Sequence, residues 1–472
     1  MAESKRCKDL DKTSEPEQNI KLTEYFRRLL KREINFRLTK EELCDIICSV
    51  DFVVETLVAT ISSKVGWLQF SRVVKVGSMA EGTSVGRPNE FDYLAVLKIE
   101  AGSVQVERTC AKRRGYAHVK IADPNLKTIW GKWMNGQYLT SDFTRGQSDF
   151  LSGYFDSLGN AFKDEIYHAM NNAHSNLVYR TKIGKIEPES SLNLDIKRHG
   201  PAFTPKFVWK SKNSDEKITI EVDITLAIEV ELTPDIISET DTFDPLFFRK
   251  VKEHGKVMLI SCRDNASCDA KLCMCLVFTE IEVELVRNMG QHHKECYKLL
   301  KYIFNDGRGY TFLPSYVLKT LVLKHNCHCE EEENLAVCFK TLVASCLHYL
   351  FNRKTEEKIE PSRFARALML GKRFSLNIPS IFFKEHNILY SKNYKFPCEQ
   401  FLQEIEIMLE SIEKISYREE DNDDDESLDI VTSIFTGVEA YLSTFPFFRK
   451  EKELTFIKCY ECYGNYFNEN IL

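Results

Sequence analysis

The stretch Gly77-Ser78-Met79-Ala80-Glu81-Gly82-Thr83-Ser84-Val85-Gly86-Arg87-Pro88-Asn89-Glu90-Phe91-Asp92-Tyr93-Leu94-Ala95-Val96-Leu97-Lys98-Ile99 joins a small-residue turn to a strand. Residues 90–99 have the length and apolar content of a β-strand. Glu90 and Asp92 are two apart, so on a strand their side chains leave the same face. Carboxylates at that spacing suit a hard divalent cation such as Mg²⁺, which takes oxygen ligands from one or two acids together with substrate phosphates. Gly77-Ser78 offers a tight turn where backbone amides and a hydroxyl can meet a phosphate. Each feature alone is weak. A Glu-x-Asp pair is more often a solvated strand face, and a Gly-Ser turn is more often only a turn.

Residues 218–230 form a cleaner strand pattern. Ile218, Ile220, Val222, Ile224, Leu226, Ile228 and Val230 alternate with polar or small residues, the period-two signature of a half-buried strand. Asp223 lies on the polar face, where metal ligation is one reason for a carboxylate. Glu221 and Glu229 share that face, so alternation leaves three candidates. Upstream, Leu22, Tyr25, Phe26, Leu29 and Leu30 follow helical spacing, with Arg27, Arg28, Lys31 and Arg32 between them. Thr39-x-x-Glu42 predicts a capping box that opens a second helix through Ile61. Further helices are expected over 292–304, 314–325, 332–351, 399–417 and 427–444. The order helices, strands, helices predicts an α+β fold. Residues 1–20 read as a disordered leader, 21–245 as a core lobe, and 246–472 as a mainly helical lobe with an acidic loop at 419–426.

Bulk properties set limits. At 472 residues, with 43% hydrophobic and 28% charged, the chain has the balance of a globular protein long enough for two lobes. No apolar run reaches membrane-span length. Residues 1–18 contain no signal-peptide core, so a cytoplasmic location is expected, with most of the 16 cysteines as free thiols. The net charge moves from −6 overall to +1 once the seven acids of residues 419–426 are set aside. Basic clusters at 27–32, Lys112-Arg113-Arg114 and Lys197-Arg198 therefore leave room for a polyanion partner. His292-His293, His325, Cys327, His328, Cys329 and Cys459-x-x-Cys462 have metal-like residue types. Adjacent histidines do not easily face one ion from a regular helix, and no four-ligand spacing connects the rest, so structural zinc is not expected.

In order, these pieces become specific. Gly77-Ser78 followed by Pro88-Asn89-Glu90-Phe91-Asp92 resembles the signature of the cyclic GMP-AMP synthase-like receptors of the male-abnormal nucleotidyltransferase family. Residues 222–229 resemble that family's third-carboxylate strand. Cys296-x-Lys-Leu-Leu-Lys301-Tyr302 and Ser315-Tyr316-x-x-Lys319-Thr320 resemble its second-lobe nucleotide-contacting helices. The resemblance runs through residues 22–350 and implies a bilobal nucleotidyltransferase fold, with a mixed central sheet, a long N-terminal spine helix and a C-terminal helical lobe. It implies that Glu90, Asp92 and Asp223 bind two Mg²⁺ or Mn²⁺ ions and that Gly77, Ser78, Lys301, Ser315 and Lys319 serve the nucleotides. Tyr316 is expected to stack on a base, with Thr279 and Glu282 nearby. ATP and GTP are the implied substrates, a cyclic dinucleotide read by the receptor STING the implied product, and double-stranded RNA or DNA on Arg27, Arg28, Lys31 and Arg32 the implied activator. Relatives of this kind without a zinc ribbon resemble double-stranded RNA sensors. Cys275 and Val277 depart from the vertebrate pattern in the acceptor pocket. A non-catalytic scaffold and a linear oligonucleotide synthase are the competing expectations.

Overall fold

A computed structural model of the protein describes residues 15–107, 115–140, 158–172, 174–189, 197–199, 202–234, 236–237, 245–261, 272–304, 315–329 and 334–342. Helix α1 spans Glu15–Leu29 and passes into a π-helical turn at Leu30–Ile34. Its apolar stripe is buried, with Leu22, Phe26 and Ile34 at 1% exposure or less, while Arg27, Arg28, Lys31 and Arg32 are exposed. Residues 15–20 are thus helical rather than part of a leader. Helix α2, Lys40–Lys64, opens with the expected capping box: Thr39 Oγ1 accepts from the Glu42 amide at 3.1 Å, and Glu42 accepts from the Thr39 amide at 3.1 Å. Such a cap contributes about 1 kcal/mol. The N-terminal spine is therefore two helices separated by residues 35–39.

The sheet is built around β12, Lys217–Glu231. The strands β10 (Ala202–Thr204), β11 (Lys206–Ser211) and β13 (Lys256–Ser261) pair with it antiparallel, whereas β2 (Glu90–Leu97) pairs with it parallel. This one parallel pair makes the sheet mixed. Its register sets Glu90 opposite Glu221 and Asp92 opposite Asp223. Strand β1 (Phe70–Val76) flanks β2 antiparallel. On the other side, β14 (Cys273–Val277) continues from β13 to β4 (Tyr116–Ile121). The even-numbered aliphatics Ile218 to Ile228 on β12 are all buried, as the alternation requires. Burial of each contributes roughly 1.5–3 kcal/mol.

The sheet does not end at residue 245. Strands β13 and β14 extend it, and the helical part begins with α7 (Thr279–Asn288), followed by α8 (Gln291–Phe304) and α9 (Ser315–His328). Residues 335–342 are also helical. One continuous apolar core runs from Leu22 of α1 through Val222 and Leu259 of the sheet to Leu300, Leu321 and Leu342. The helical layer is thereby fixed against the sheet. No helix among the described residues is long and apolar enough to cross a membrane. Pro314, Lys112-Arg113-Arg114, the expected helices at 399–417 and 427–444, the acidic loop 419–426 and Cys459-x-x-Cys462 lie outside the described residues.

Candidate active site

The parallel pairing of β2 with β12 creates the site. Strands in register present side chains at matching heights, so Asp92 and Asp223 stand side by side with Glu90 one step along the same face. Carboxylate oxygens of Glu90, Asp92 and Asp223 all lie within 4.8 Å of one another. The rivals to Asp223 are occupied elsewhere. Glu221 pairs with Lys206 at 2.6 Å. Glu229 pairs with Lys256 at 2.5 Å and with Arg72, whose guanidinium also grips Glu280 at 2.7 and 2.8 Å. Burial opposes the charge on Glu229, yet the hydrogen bonds from Lys256 and Arg72 hold it below its ordinary range.

Asp92 experiences the opposite balance. Burial, then the charges of Glu90 and Asp223, push its pKa up to about 7, and Lys319 offsets this only in part. Three acids so close together resist being ionised at once without added positive charge. Three clustered carboxylates fit a divalent cation bound by oxygen donors. Asp223, 8% exposed, is further held by a hydrogen bond from the Thr204 hydroxyl on β10.

The Gly-Ser turn is the start of a short helix, α3, Gly77–Glu81. Gly77 has φ +70°, and a Cβ there would lie 1.9 Å from Asp92 Oδ2. Two separate constraints therefore demand glycine: the left-handed backbone, and the approach of the chain to a site carboxylate. Ser78 follows it and is half-buried at the head of α3.

The second-layer residues form a connected network. Lys319 Nζ donates to Glu81 at 3.0 Å and to Glu282 at 2.6 Å. The Tyr316 hydroxyl donates to the other oxygen of Glu282 at 3.0 Å, and the Lys319 ammonium lies 5.0 Å from the Tyr316 ring centre. Burial disfavours the charge on Lys319, but Glu282 and then Glu81 outweigh it and raise its pKa well above the usual lysine range. Its ammonium thus joins α3, α7 and α9. Lys301 Nζ donates to the Thr83 carbonyl at 3.2 Å. Burial lowers its pKa, opposed by Glu81 and Glu90. Ser315 is exposed, and its carbonyl accepts from the Tyr297 hydroxyl at 3.1 Å. Thr279 Oγ1 is buried without a hydrogen-bond partner among the described residues.

Three positioning residues escape a reading of the sequence. Thr204 orients Asp223 across 19 residues of chain, and no local pattern marks it. Arg287 Nε donates to the Ala80 carbonyl at 2.6 Å, pinning the end of α3 to α7. Glu81, 3% exposed, sits inside the Gly-Ser motif itself, so an acid amid small residues was its visible signal. One expectation is overturned in geometry: the rings of His292 and His293 do converge, with centroids 3.8 Å apart. They lie in the first turn of α8, where the end of α9 returns to meet them, as the 5.3 Å between the His293 and His325 rings shows.

Two comparisons with known proteins agree with this architecture. Residues 79–241 match the family described as the Mab-21 protein nucleotidyltransferase domain. The chain is also similar to a cyclic GMP-AMP synthase from Sus scrofa, at 24% identity over 391 residues, which covers 76% of this chain and 70% of that protein. The matched region holds Glu90, Asp92 and Asp223 on the two strands that the parallel register joins, so the part of the chain that is similar to a Mab-21 nucleotidyltransferase domain is the part that carries the three acids.

Proposed function

We propose that this protein is a ligand-activated nucleotidyltransferase that makes a cyclic dinucleotide, cyclic GMP-AMP in the first instance, from ATP and GTP. The observation that carries this reading is the convergence of Glu90, Asp92 and Asp223 within 4.8 Å beside the Gly77-Ser78 head of α3. Glu90 and Asp92 would hold two Mg²⁺ or Mn²⁺ ions, with Asp223 at one of them. When bound, such ions lower the pKa of the attacking ribose hydroxyl and neutralise charge on the leaving pyrophosphate. The protein's own part is positioning. Thr204 aims Asp223, Gly77 lets the chain pass Asp92, and Ser78 contacts the donor triphosphate. Lys301 places a buried cation near the acids, and the Glu81–Lys319–Glu282–Tyr316 network fixes α3 against α7 and α9.

Activation is assigned to double-stranded nucleic acid, with RNA preferred to DNA. Support for a polyanion comes from Arg27, Arg28, Lys31 and Arg32, which are exposed along one helical segment whose opposite face is buried. Duplex RNA is read through shape and backbone contacts of that kind. The product would be received by STING.

The test is incubation of the purified chain with the four nucleoside triphosphates and Mg²⁺ or Mn²⁺, alone or with duplex RNA or duplex DNA, and product identification by mass spectrometry. A cyclic dinucleotide formed only with duplex RNA supports the full reading. A linear product, a DNA requirement, or no product with any activator removes the corresponding part of it.

A further inference from the structure

The N-terminal end of α8 carries a second group of metal-ligating side chains, made of different atoms from the carboxylate site. His292 and His293 occupy the first turn of α8, Cys329 directly follows α9, and Cys338 lies in the helical segment 335–342. One ligand atom from each of the four lies within 4.8 Å of the other three. Cys329 Sγ is 3.5 Å from Cys338 Sγ, and Cys338 Sγ is 3.8 Å from His293 Nε2. The site is internal: His293 is 3% and Cys338 1% exposed.

These separations discriminate between chemistries. A disulfide requires sulfurs about 2.05 Å apart, and neither cysteine is disulfide-bonded. A tetrahedral zinc centre has bonds of about 2.3 Å to sulfur and about 2.0–2.1 Å to nitrogen, which sets neighbouring ligands roughly 3.3–3.8 Å apart. Both measured edges match or lie at the limit of that range. Two thiolates and two neutral imidazoles also balance Zn²⁺ exactly in charge, so nothing ionic is left unpaired in a buried position. We propose that His292, His293, Cys329 and Cys338 form a structural Zn²⁺ site. Four protein ligands close the coordination sphere and leave no position for substrate, which distinguishes a structural centre from a catalytic one. The ion would tie α8, α9 and the segment 335–342 into one body. Because α8 bears Lys301 and α9 bears Tyr316 and Lys319, that body is the one that faces the carboxylates.

The site is tested on the full chain, expressed with added zinc and purified without chelator. Elemental analysis should find about one zinc per chain in the wild type and in C44S, whose cysteine is exposed and distant in sequence. It should find almost none in the C329S/C338S double variant. Since that variant can fail to fold, the wild type is read a second way. Exchange into Co²⁺ should give tetrahedral d–d absorption with a thiolate-to-cobalt charge-transfer band. Alkylation mapped by peptide mass spectrometry should label Cys329 and Cys338 slowly in the zinc-loaded chain and at least tenfold faster after metal removal. Zinc retained by a folded C329S/C338S chain overturns the assignment. So does a wild-type chain that lacks zinc and alkylates Cys329 and Cys338 at the same rate with and without added Zn²⁺.

Discussion

At the scale of single residues, Asp223 and its partner Thr204 separate chemistry from folding. Asp223→Asn keeps the shape of the side chain but removes a negative charge from the cluster, so nucleotidyl transfer should fall by at least about a hundredfold, while the far-ultraviolet circular dichroism stays unchanged. Thr204→Val is isosteric and leaves the carboxylate in place without its orienting donor. Its activity loss should be smaller, on the order of tenfold, and measured rates of the two variants order them. Asp92 makes a prediction in pH. Its folded pKa is raised from 3.8 to about 7 by burial, Glu90 and Asp223. The folded state therefore prefers the protonated acid. The stability from that preference is complete below the unfolded pKa and is lost as pH rises towards 7. In the metal-free chain, the melting temperature of wild type relative to Asp92→Asn should decline across roughly pH 4 to 7. Mg²⁺ or Mn²⁺ should restore it more at pH 7.5 than at pH 5. A flat difference across that range would contradict the assignment.

At the scale of elements, the joint among helices α3, α7 and α9 is ionic and buried. Lys319 on α9 bridges Glu81 on α3 and Glu282 on α7, with side-chain exposures of 11%, 2% and 4%. Removing the cation leaves two carboxylates buried together, so Lys319→Met should destabilise the chain by about 3–5 kcal/mol in urea unfolding. Lys319→Arg keeps the charge and should recover part of that loss. The short helix α3 is where both constraints meet, because its first residue touches Asp92 and its last touches Lys319. The main features of these elements were legible beforehand. The alternation of residues 218–230 is the buried register of β12, and Thr39 with Glu42 caps α2 as written. Less was legible at the ends. The start of α1 at Glu15 lacks an apolar stripe, and the sheet resumes after residue 245 because β13 pairs with β12 across a helix, α6 (Pro245–His254).

At the scale of the whole molecule, the basic face of α1 and its π-helical continuation is the feature that reaches outward. Arg28→Glu with Lys31→Glu changes two exposed residues without touching the buried stripe. Duplex RNA binding should weaken, and the slope of log affinity against log salt should become shallower by about 2 units. Melting temperature should remain within a degree or two of wild type. Equal affinity and an equal salt slope would place the activator elsewhere. The cluster at Lys197-Arg198 lies on β9 (Lys197–His199), which pairs with β10 next to the strand that holds Asp223.

The sequence by itself determined the strands at 90–99 and 218–230, the first two helices and the helices that follow residue 290, because hydrophobic period and caps are local properties. It also placed Glu90 and Asp92 on one face, since residues two apart on a strand must share one. Alternation left Asp223, Glu221 and Glu229 equivalent, because it describes a face and not its neighbours, and the family resemblance pointed to Asp223. Only the tertiary structure supplies the contacts: the parallel register of β2 with β12 brings Asp92 beside Asp223, while Lys206, Lys256 and Arg72 neutralise the other two. The same holds for His292, His293, Cys329 and Cys338. Their spacing along the chain matches no metal motif, and the folding of α9 back onto the start of α8 puts their ligand atoms together. Contacts between residues far apart in sequence depend on how elements pack, and packing is settled by the whole core at once.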